Sequence, residues 1–442
     1  MSHALRYGGG VSEPAANSLK PLLNREAWEL LNSLPSYDQE TSDAMNVTLR
    51  KQGWDPQTVA AVLTQLRLRR DARTKFGTFA DKLLLTQHGL EQATRLQVAA
   101  RHARRFRKAG ITHVADMGCG LGADSLAFAS AGLRVTALEA DETTAAAALM
   151  NLRPFPEAQV VHTTAEKWVE QHLNEDEFRG LGVWMDPARR TDHSRIWDPE
   201  EFSPPLSFVT KLAATGLPLG VKLGPGIPHD LIPPECEAEW VSVEGELVEV
   251  TLWFNALARP GVRRAATVLP SSSGEIASMS ASPGETGGIG AAELSSPEDF
   301  GQEPAISPTG PAGLYGVLWE PDPSVIRSGL VAQLCEQVQG RLLDERIAYF
   351  CSNEDERAGP LLLARRFRIL EVMPFSAKRI KRWCAAHHVT SIDIKKRGVD
   401  VVPEQLRQQV LPRKPHGSHR HVTIVITRLG NTRLAAVVEP LG

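Results

Sequence analysis

In the run Val114-Ala115-Asp116-Met117-Gly118-Cys119-Gly120-Leu121-Gly122, an acid stands two positions ahead of three alternating glycines. Where a strand turns into a helix, glycines at 118, 120 and 122 let the backbone approach a ligand closely. Such a turn can hold NAD, FAD or S-adenosylmethionine, and the flanking charges decide among them. A pyrophosphate needs free N–H groups at the helix N-terminus, with nothing anionic in the way. Here Asp116 precedes the first glycine and Asp124 falls in the first helical turn. S-adenosylmethionine has no phosphate and carries a sulfonium and an ammonium, so an acidic turn suits it and repels a pyrophosphate.

Further along, Arg134–Leu138 reads as a second strand ending at Glu139, whose carboxylate can accept hydrogen bonds from both ribose hydroxyls. Asp141 stands behind it as a substitute. After a third strand, Ala165 in Thr164-Ala165-Glu166 leaves a backbone N–H open to the adenine ring. Each acid alone reads equally as a helix cap or a solvated loop residue. Their order on successive strands is what makes them a cofactor site.

The second chemical motif is Trp184-Met185-Asp186-Pro187-Ala188-Arg189-Arg190, after an apolar strand and therefore at the carboxyl edge of the sheet beside the glycine turn. A methyl acceptor would lie there. Arg189 can stack its guanidinium plane on a base or hold a phosphate. The structural alternatives are a strand-ending turn for Asp186-Pro187 and ion pairing for Arg189 and Arg190. In-line transfer at such a site is driven by proximity, orientation and desolvation.

These residues need a scaffold. His113–Ala115, Arg134–Leu138, Gln159–His162, Leu181–Met185 and Pro218–Lys222 read as strands of a parallel sheet separated by helices. Leu247–Phe254 and Arg263–Leu269 read as a hairpin about Pro260-Gly261 that closes the sheet at seven strands. Before the sheet, residues 1–98 read as a helical domain. Asp55-Pro56 supplies a cap and a first-turn proline, and Leu90, Ala93, Leu96, Ala100 and Ala103 share one spacing. Residues 99–270 form the expected core. Residues 271–313, rich in Ser, Gly, Pro and Glu, read as a disordered linker, and residues 314–442 as a small mixed C-terminal domain. In that domain a helix capped by Ser376, a helix opened by Pro403-Glu404 and a hairpin, His421–Thr427 with Arg433–Val438, are expected.

With 442 residues, an apolar share of 42% and a net charge of -3, the chain is that of a multidomain soluble protein rather than a disordered or membrane one. Its five scattered cysteines have no C-x-x-C spacing, which fits neither a disulfide framework nor a zinc ribbon and points to a reducing compartment. There is no targeting segment or spanning apolar run, so a cytoplasmic location is expected. The oligomeric state is left open.

The balance of charge is uneven. From Pro360 onward there are sixteen Lys/Arg and five Asp/Glu, an excess of +11 against -14 for the rest, since the whole sums to -3. Lys378, Arg379, Lys381 and Arg382 fall on one helix, Lys396 and Arg397 end the next strand, and Arg413, Lys414 and Arg420 flank a histidine loop. Such a module fits RNA, engaged through its phosphates. The alternative is that the cations dock on the acidic body. His416, His419 and His421 lie in this basic loop without a carboxylate or cysteine nearby, so no metal is expected.

Residues 112–200 resemble the class I S-adenosylmethionine-dependent methyltransferase core, with Asp116-x-Gly118-x-Gly120-x-Gly122 as the glycine motif, Glu139 as the ribose acid and Asp186-Pro187-Ala188-Arg189 as the catalytic loop. The resemblance implies an α/β, Rossmann-like, seven-stranded fold. Over nearly its whole length the chain resembles bacterial proteins that pair this core with a THUMP-like C-terminal domain. Gly89-Leu-Glu-Gln-Ala-Thr94, Glu320-Pro-Asp-Pro323, Lys396-Arg-Gly398 and Pro403-Glu404 carry that wider match. In amino-methylating members, an acid or amide and the next proline's carbonyl accept hydrogen bonds from an exocyclic amine, which implies these roles for Asp186 and Pro187. Ala188 and Arg189 replace the second proline and the stacking aromatic usual there. The motif also resembles that of enzymes methylating pyrimidine carbon, which need a cysteine near the fifth strand. Val221–Gly226 has none, and the nearest, Cys236, lacks their motif. The resemblance leaves three functions open: methylation of an RNA base, methylation of a small molecule or protein, and cofactor binding without chemistry.

Overall fold

The computed structural model describes residues 19–172, 180–189, 198–270, 290–302, 313–353, 362–411 and 420–441. They fall into two compact units, one reaching from the N-terminal side to Lys222 with a return at Phe254–Leu257, the other holding Leu223–Trp253 and Ala258 onward.

The first unit opens with helices α1 (Arg25–Ser33), α2 (Ser42–Lys51), α3 (Pro56–Phe76), α4 (Gln87–Gln92) and α5 (Leu96–Lys108). Asp55 caps α3, accepting from the N–H groups of Gln57 and Thr58, and Pro56 takes the first helical position. Five strands follow: β1 (His113–Met117), β2 (Arg134–Glu139), β3 (Ala158–His162), β4 (Leu181–Met185) and β5 (Leu219–Leu223). Between them run α6 (Ala123–Ser130), α7 (Glu142–Leu152), α8 (Ala165–His172) and α9 (Leu206–Ala213). The strands lie in the order β3-β2-β1-β4-β5 and are parallel at each junction. β1 and β4 are buried along almost their whole length; β4 reads as an unbroken apolar run, and in β1 the apolar residues are interrupted only by buried Asp116 after the half-buried His113. The order reverses between β1 and β4, and a crevice at the carboxyl ends of those two strands is where such sheets bind ligands.

The spacing from Leu90 to Ala103 suggested one continuous helix, but the chain breaks at Ala93–Arg95. Lys75 Nζ donates to the carbonyls of Leu90, Glu91 and Ala93 at 2.7–2.9 Å and so ends α4. The break matters because it releases Thr94 toward the sheet. The boundary expected near residue 98 also falls inside this unit. Asn151 of α7 receives the N–H of Leu84 and donates to the carbonyls of Leu84 and Leu121, while Gln65 of α3 clamps both polar groups of Leu85.

In the second unit β6 (Glu237–Val243) and β7 (Glu246–Phe254) pair antiparallel, β8 (Arg264–Leu269) runs parallel to β6, and β9 (Ala292–Ser296) pairs antiparallel with β8. The hairpin partner of Leu247–Phe254 is therefore Glu237–Val243, not the expected Arg263–Leu269. Its turn sits at Glu244-Gly245, both at positive φ. Two acids inside β6 disguised it as a loop. Glu237 is fully buried against Arg259, at 2.7 Å, and Glu239 accepts from the Trp253 indole and the Thr267 hydroxyl. Replacing Arg259 by Met is expected to lower the unfolding free energy by about 2–3 kcal/mol, because Glu237 keeps its burial and loses its guanidinium. Arg259 itself is a third exposed, which holds the cost at that level. Urea unfolding at neutral pH measures it, and a loss below about 0.5 kcal/mol would show that the pair is not structural.

β9 lies within the stretch expected to be a disordered linker. Leu294 is buried there and gives the strand something to pack with. Residues 271–289 and 303–312, where the rest of that expectation falls, lie outside the described residues.

A second sheet contains β10 (Val317–Pro321), β11 (Arg341–Asp344), β12 (Ile347–Ser352), β13 (Ala364–Pro374), β14 (Val389–Lys396), β15 (Arg420–Leu429) and β16 (Thr432–Leu441). Their order is β11-β12-β10-β13-β16-β15-β14. Short helices α10 (Pro323–Arg327) and α11 (Val331–Gln337) follow β10, while α12 (Ala377–Ala386) and α13 (Pro403–Val410) cross over to cover one face. Ile380 and Cys384 of α12 and Leu406 and Val410 of α13 pack there against Ile392, Ile424 and Val437. The hairpin anticipated at 421–438 is β15–β16, with Gly430 at positive φ in its turn. Ser376 precedes α12 as expected, but its side chain makes no capping hydrogen bond. Among the described residues no helix is long and apolar enough to cross a membrane.

Candidate active site

At the end of β1 the chain passes through Gly118, Gly120 and Gly122, with φ of 86°, 56° and 86°. Left-handed backbone of this kind favours glycine. The N–H groups of Gly118 and Cys119 both donate to the Leu138 carbonyl, which ties the turn to β2. Gly118 is exposed, and a Cβ built on it would stand 3.2 Å from the Asp186 carbonyl oxygen. The end of β4 therefore closes one side of the turn.

Glu139, half-buried at the end of β2, closes the other. Its two oxygens accept from Gly120 N–H at 3.0 Å and Asp141 N–H at 2.9 Å. Asp141 caps α7, its Oδ1 taking the N–H and hydroxyl of Thr144. Ala165 opens α8 at the same edge of the sheet, three residues beyond His162, which pairs with Glu139.

Asp116 is buried at the end of β1, and Ser125 Oγ donates to its Oδ2 at 2.5 Å. Its other oxygen is buried with no hydrogen-bond partner among the described residues. Burial, followed by the nearby charge of Asp124, pushes the Asp116 carboxyl well above the usual carboxylate range, and the Ser125 bond only partly opposes this. A buried acid with an unanswered oxygen beside a glycine cradle fits a cationic ligand.

Asp124 does not occupy the α6 dipole as a free charge. Its carboxylate accepts from Thr94 Oγ1 at 2.7 Å and lies 2.7 Å from His102 Nδ1. Burial pushes it up, but His102, Lys222 and Thr94 outweigh burial and hold it below the usual range. His102 in turn lies against Trp184 of β4, with ring centroids 4.2 Å apart.

Lys222, on β5, completes the group. Its Nζ lies 2.6 Å from Asp186 Oδ2 and donates to Thr94 Oγ1 at 2.9 Å. Thr94, His102, Trp184 and Lys222 escaped sequence reading as site residues. The signal for Lys222 was a lysine ending a buried strand beside the switch point, in a segment searched only for cysteine. Pro187 is buried directly after Asp186, and Ala188–Arg189 pairs with Phe202–Ser203 as two-residue strands. The cysteine route finds no support at Cys236, whose thiol burial pushes up to about 12.

On the C-terminal module, Lys378, Arg379, Lys381 and Arg382 are exposed on α12 and Lys396 is exposed at the end of β14. Arg397 lies over the Tyr349 ring at 5.1 Å, and Arg420 donates to the His387 carbonyl. Arg413, Lys414, His416 and His419 lie outside the described residues. His421 lies 3.3 Å from Asp393.

A family model described as a THUMP domain-like domain matches residues 364–440, and one described as a domain of unknown function (DUF8688) matches residues 16–72. An uncharacterized S-adenosylmethionine-dependent methyltransferase of Mycobacterium tuberculosis, in strains CDC 1551 and H37Rv, is 30% identical over 385 residues, spanning 84% of this chain and 93% of the relative. The crystal structure of a protein from Porphyromonas gingivalis W83 described as a methyltransferase superposes with a TM-score of 0.68 at 18% identity. It covers 92% of this chain and 100% of its own, so the two share a fold over most of this chain. The cofactor is S-adenosylmethionine, the enzyme class is methyltransferase, and the chain belongs to the S-adenosylmethionine-dependent methyltransferases, with a Rossmann-like α/β core and a THUMP-like α+β module.

Proposed function

We propose that this methyltransferase acts on a base in RNA, within the cytoplasm, and that the THUMP-like module holds the RNA. The observation that carries the reading is the solvent face of α12. Four cations stand on one amphipathic helix, all exposed and without an ion pair among the described residues, while Ile380 and Cys384 bury the opposite face. Unpaired surface cations grouped this way engage phosphates through counterion release. Neighbouring cations serve the fold instead. Lys395 pairs with Glu320 at 2.6 Å and Arg428 with Asp344 at 3.1 Å. Among the described residues, the exposed cations of the proposed phosphate-binding set are those of α12 together with Lys396 and Arg420.

At the proposed catalytic site, Asp116, the turn at Gly118, Gly120 and Gly122, Glu139 and Ala165 hold the cofactor, which supplies an electrophilic methyl group on sulfonium. Asp186 and the Pro187 carbonyl orient the acceptor by hydrogen bonds at the end of β4. Arg189, two residues beyond Pro187, is assigned to the nucleic acid by its guanidinium chemistry. The protein's contribution is alignment and exclusion of water rather than covalent chemistry.

Reversing the α12 charges (Lys378→Glu, Arg379→Glu, Lys381→Glu, Arg382→Glu) in the full chain is expected to weaken binding to transfer and ribosomal RNA by at least about tenfold at low salt. It should also flatten the salt dependence and leave S-adenosylmethionine affinity unchanged. Unaltered RNA affinity, or none in the parent protein at low salt, would remove the ground for an RNA substrate.

A further inference from the structure

We infer that Thr94 and Lys222 are positioning residues for methyl transfer, holding the Asp186 carboxylate at the mouth of the site through one chain of hydrogen bonds anchored on helix α5. This rests on Asp186 being the group that meets the acceptor.

The chain runs through four bonds. His102 Nδ1 lies 2.7 Å from Asp124 Oδ1; Thr94 Oγ1 donates to Asp124 Oδ2 at 2.7 Å; Lys222 Nζ donates to Thr94 Oγ1 at 2.9 Å; and Lys222 Nζ meets Asp186 Oδ2 at 2.6 Å. Polarity is consistent along its length. A hydroxyl has one proton, and Thr94 gives it to Asp124 and takes one from the ammonium. That ammonium has a second proton for Asp186.

Burial grades along the chain. His102 and Asp124 are almost wholly buried, the Lys222 side chain is 12% exposed and Asp186 is 33% exposed. The buried end is fixed by packing on Trp184, and the open end is a carboxylate at the carboxyl edge of the sheet. An exposed aspartate on a loop start would sample several rotamers. Here a charge-assisted bond from a nearly buried donor selects one. Two separate elements deliver the donors: the helix break that frees Thr94, and the end of β5. An arrangement serving only to fold the chain would not need its one accessible member to be the acid of the catalytic loop.

Charge gives a second reason for Lys222. Asp124 and Asp186 both act on buried Asp116, and Lys222 acts on Asp116 and Asp124 as well as bonding to Asp186. One ammonium thus offsets negative charge at this end of the sheet while holding the Asp186 carboxylate.

The test uses the full chain and its Lys222→Met, Lys222→Arg, Thr94→Val and Thr94→Ser variants. Labelled S-adenosylmethionine is given with an extract of cells lacking the gene, and label is counted separately in RNA, protein and small molecules. The variants are compared in whichever pool the parent protein labels, and calorimetry gives cofactor affinity for each. Lys222→Met is expected to lower transfer at saturating cofactor about hundredfold and Thr94→Val about tenfold, the range for a misplaced catalytic group. The Arg and Ser variants should recover a large part, and cofactor affinity should stay within about twofold throughout. Thr94→Val and Thr94→Ser keep the packing nearly intact, so they report even if Lys222→Met folds poorly. Undiminished transfer in Thr94→Val and Lys222→Arg would overturn the proposal. So would losses that follow cofactor affinity or thermal stability alone. Label appearing in protein or small molecules rather than RNA would overturn the RNA reading and leave the Thr94 and Lys222 comparison standing.

Discussion

An Asp186→Ala protein is expected to keep S-adenosylmethionine affinity within about threefold and to transfer methyl groups at least about 10²-fold more slowly, the scale of losing an oriented hydrogen-bond acceptor in a desolvated site. The separation follows from which part of Asp186 faces which partner. Its backbone carbonyl borders Gly118, so the cofactor turn keeps its wall when the side chain is cut back. Its carboxylate is turned toward Lys222 and solvent. Asp186→Asn, which can still accept a hydrogen bond, should lie between alanine and the parent. Unchanged transfer by the alanine variant, measured with labelled cofactor on the responsive pool, would take the acceptor-binding role away from Asp186.

The opposite split is expected at Gly118. Valine there must adopt a left-handed backbone at a cost of about 1–2 kcal/mol and carries its Cβ toward the Asp186 carbonyl. With that oxygen 3.2 Å away and belonging to backbone, the neighbour cannot swing aside. S-adenosylmethionine affinity should fall by more than about 100-fold, as for a turn whose approach to its ligand is closed. Gly132→Val is the matched control. Gly132 has a φ of 79° and nothing within 4 Å of an added Cβ, so it carries comparable strain away from the site. Calorimetry on both variants separates occlusion from strain; equal losses would mean that Gly118 matters only for folding.

What the sequence disclosed follows from how each segment is buried. Strands β1, β2, β4 and β5 are mostly buried and rich in apolar residues, so a short apolar run was sufficient to place them within a residue or two. The glycine turn and Glu139 were legible because both lie in a fixed order along those strands. β6 was not. Its glutamates satisfy themselves on Arg259, Trp253 and Thr267, partners 14 to 28 residues away, and a local reading sees only acids. β9 was hidden by a surrounding composition of Ser, Gly and Pro, although one buried leucine and the exposed edge of β8 were enough to form it.

The site shows the same division. Asp116, Gly118, Gly120, Glu139 and Asp186 come together as their order implied. Asp141, read as a substitute for the ribose acid Glu139, also caps α7, the role open to any acid one residue ahead of a helix. Thr94 and Lys222 are 128 positions apart, and nothing local marks a threonine in a helix break or a lysine ending a strand as partners. Hydrogen bonds across such separations are products of the fold.

The side chain of Asn151 has a bearing on how this enzyme can be taken apart. It accepts from Leu84, ahead of the sheet, and donates to Leu84 and to Leu121 within the glycine turn, all three groups being buried. A chain started at residue 99 would strip two of those bonds from a buried amide, with Gln65 and Thr94 removed as well. The amide would keep only its bond to Leu121, with its oxygen unanswered beside the cofactor loop. The helices ahead of the sheet are therefore tied to the cofactor turn by buried hydrogen bonds. A catalytic fragment is expected to stay folded only if it begins upstream of Gln65, which circular dichroism of truncated chains would check.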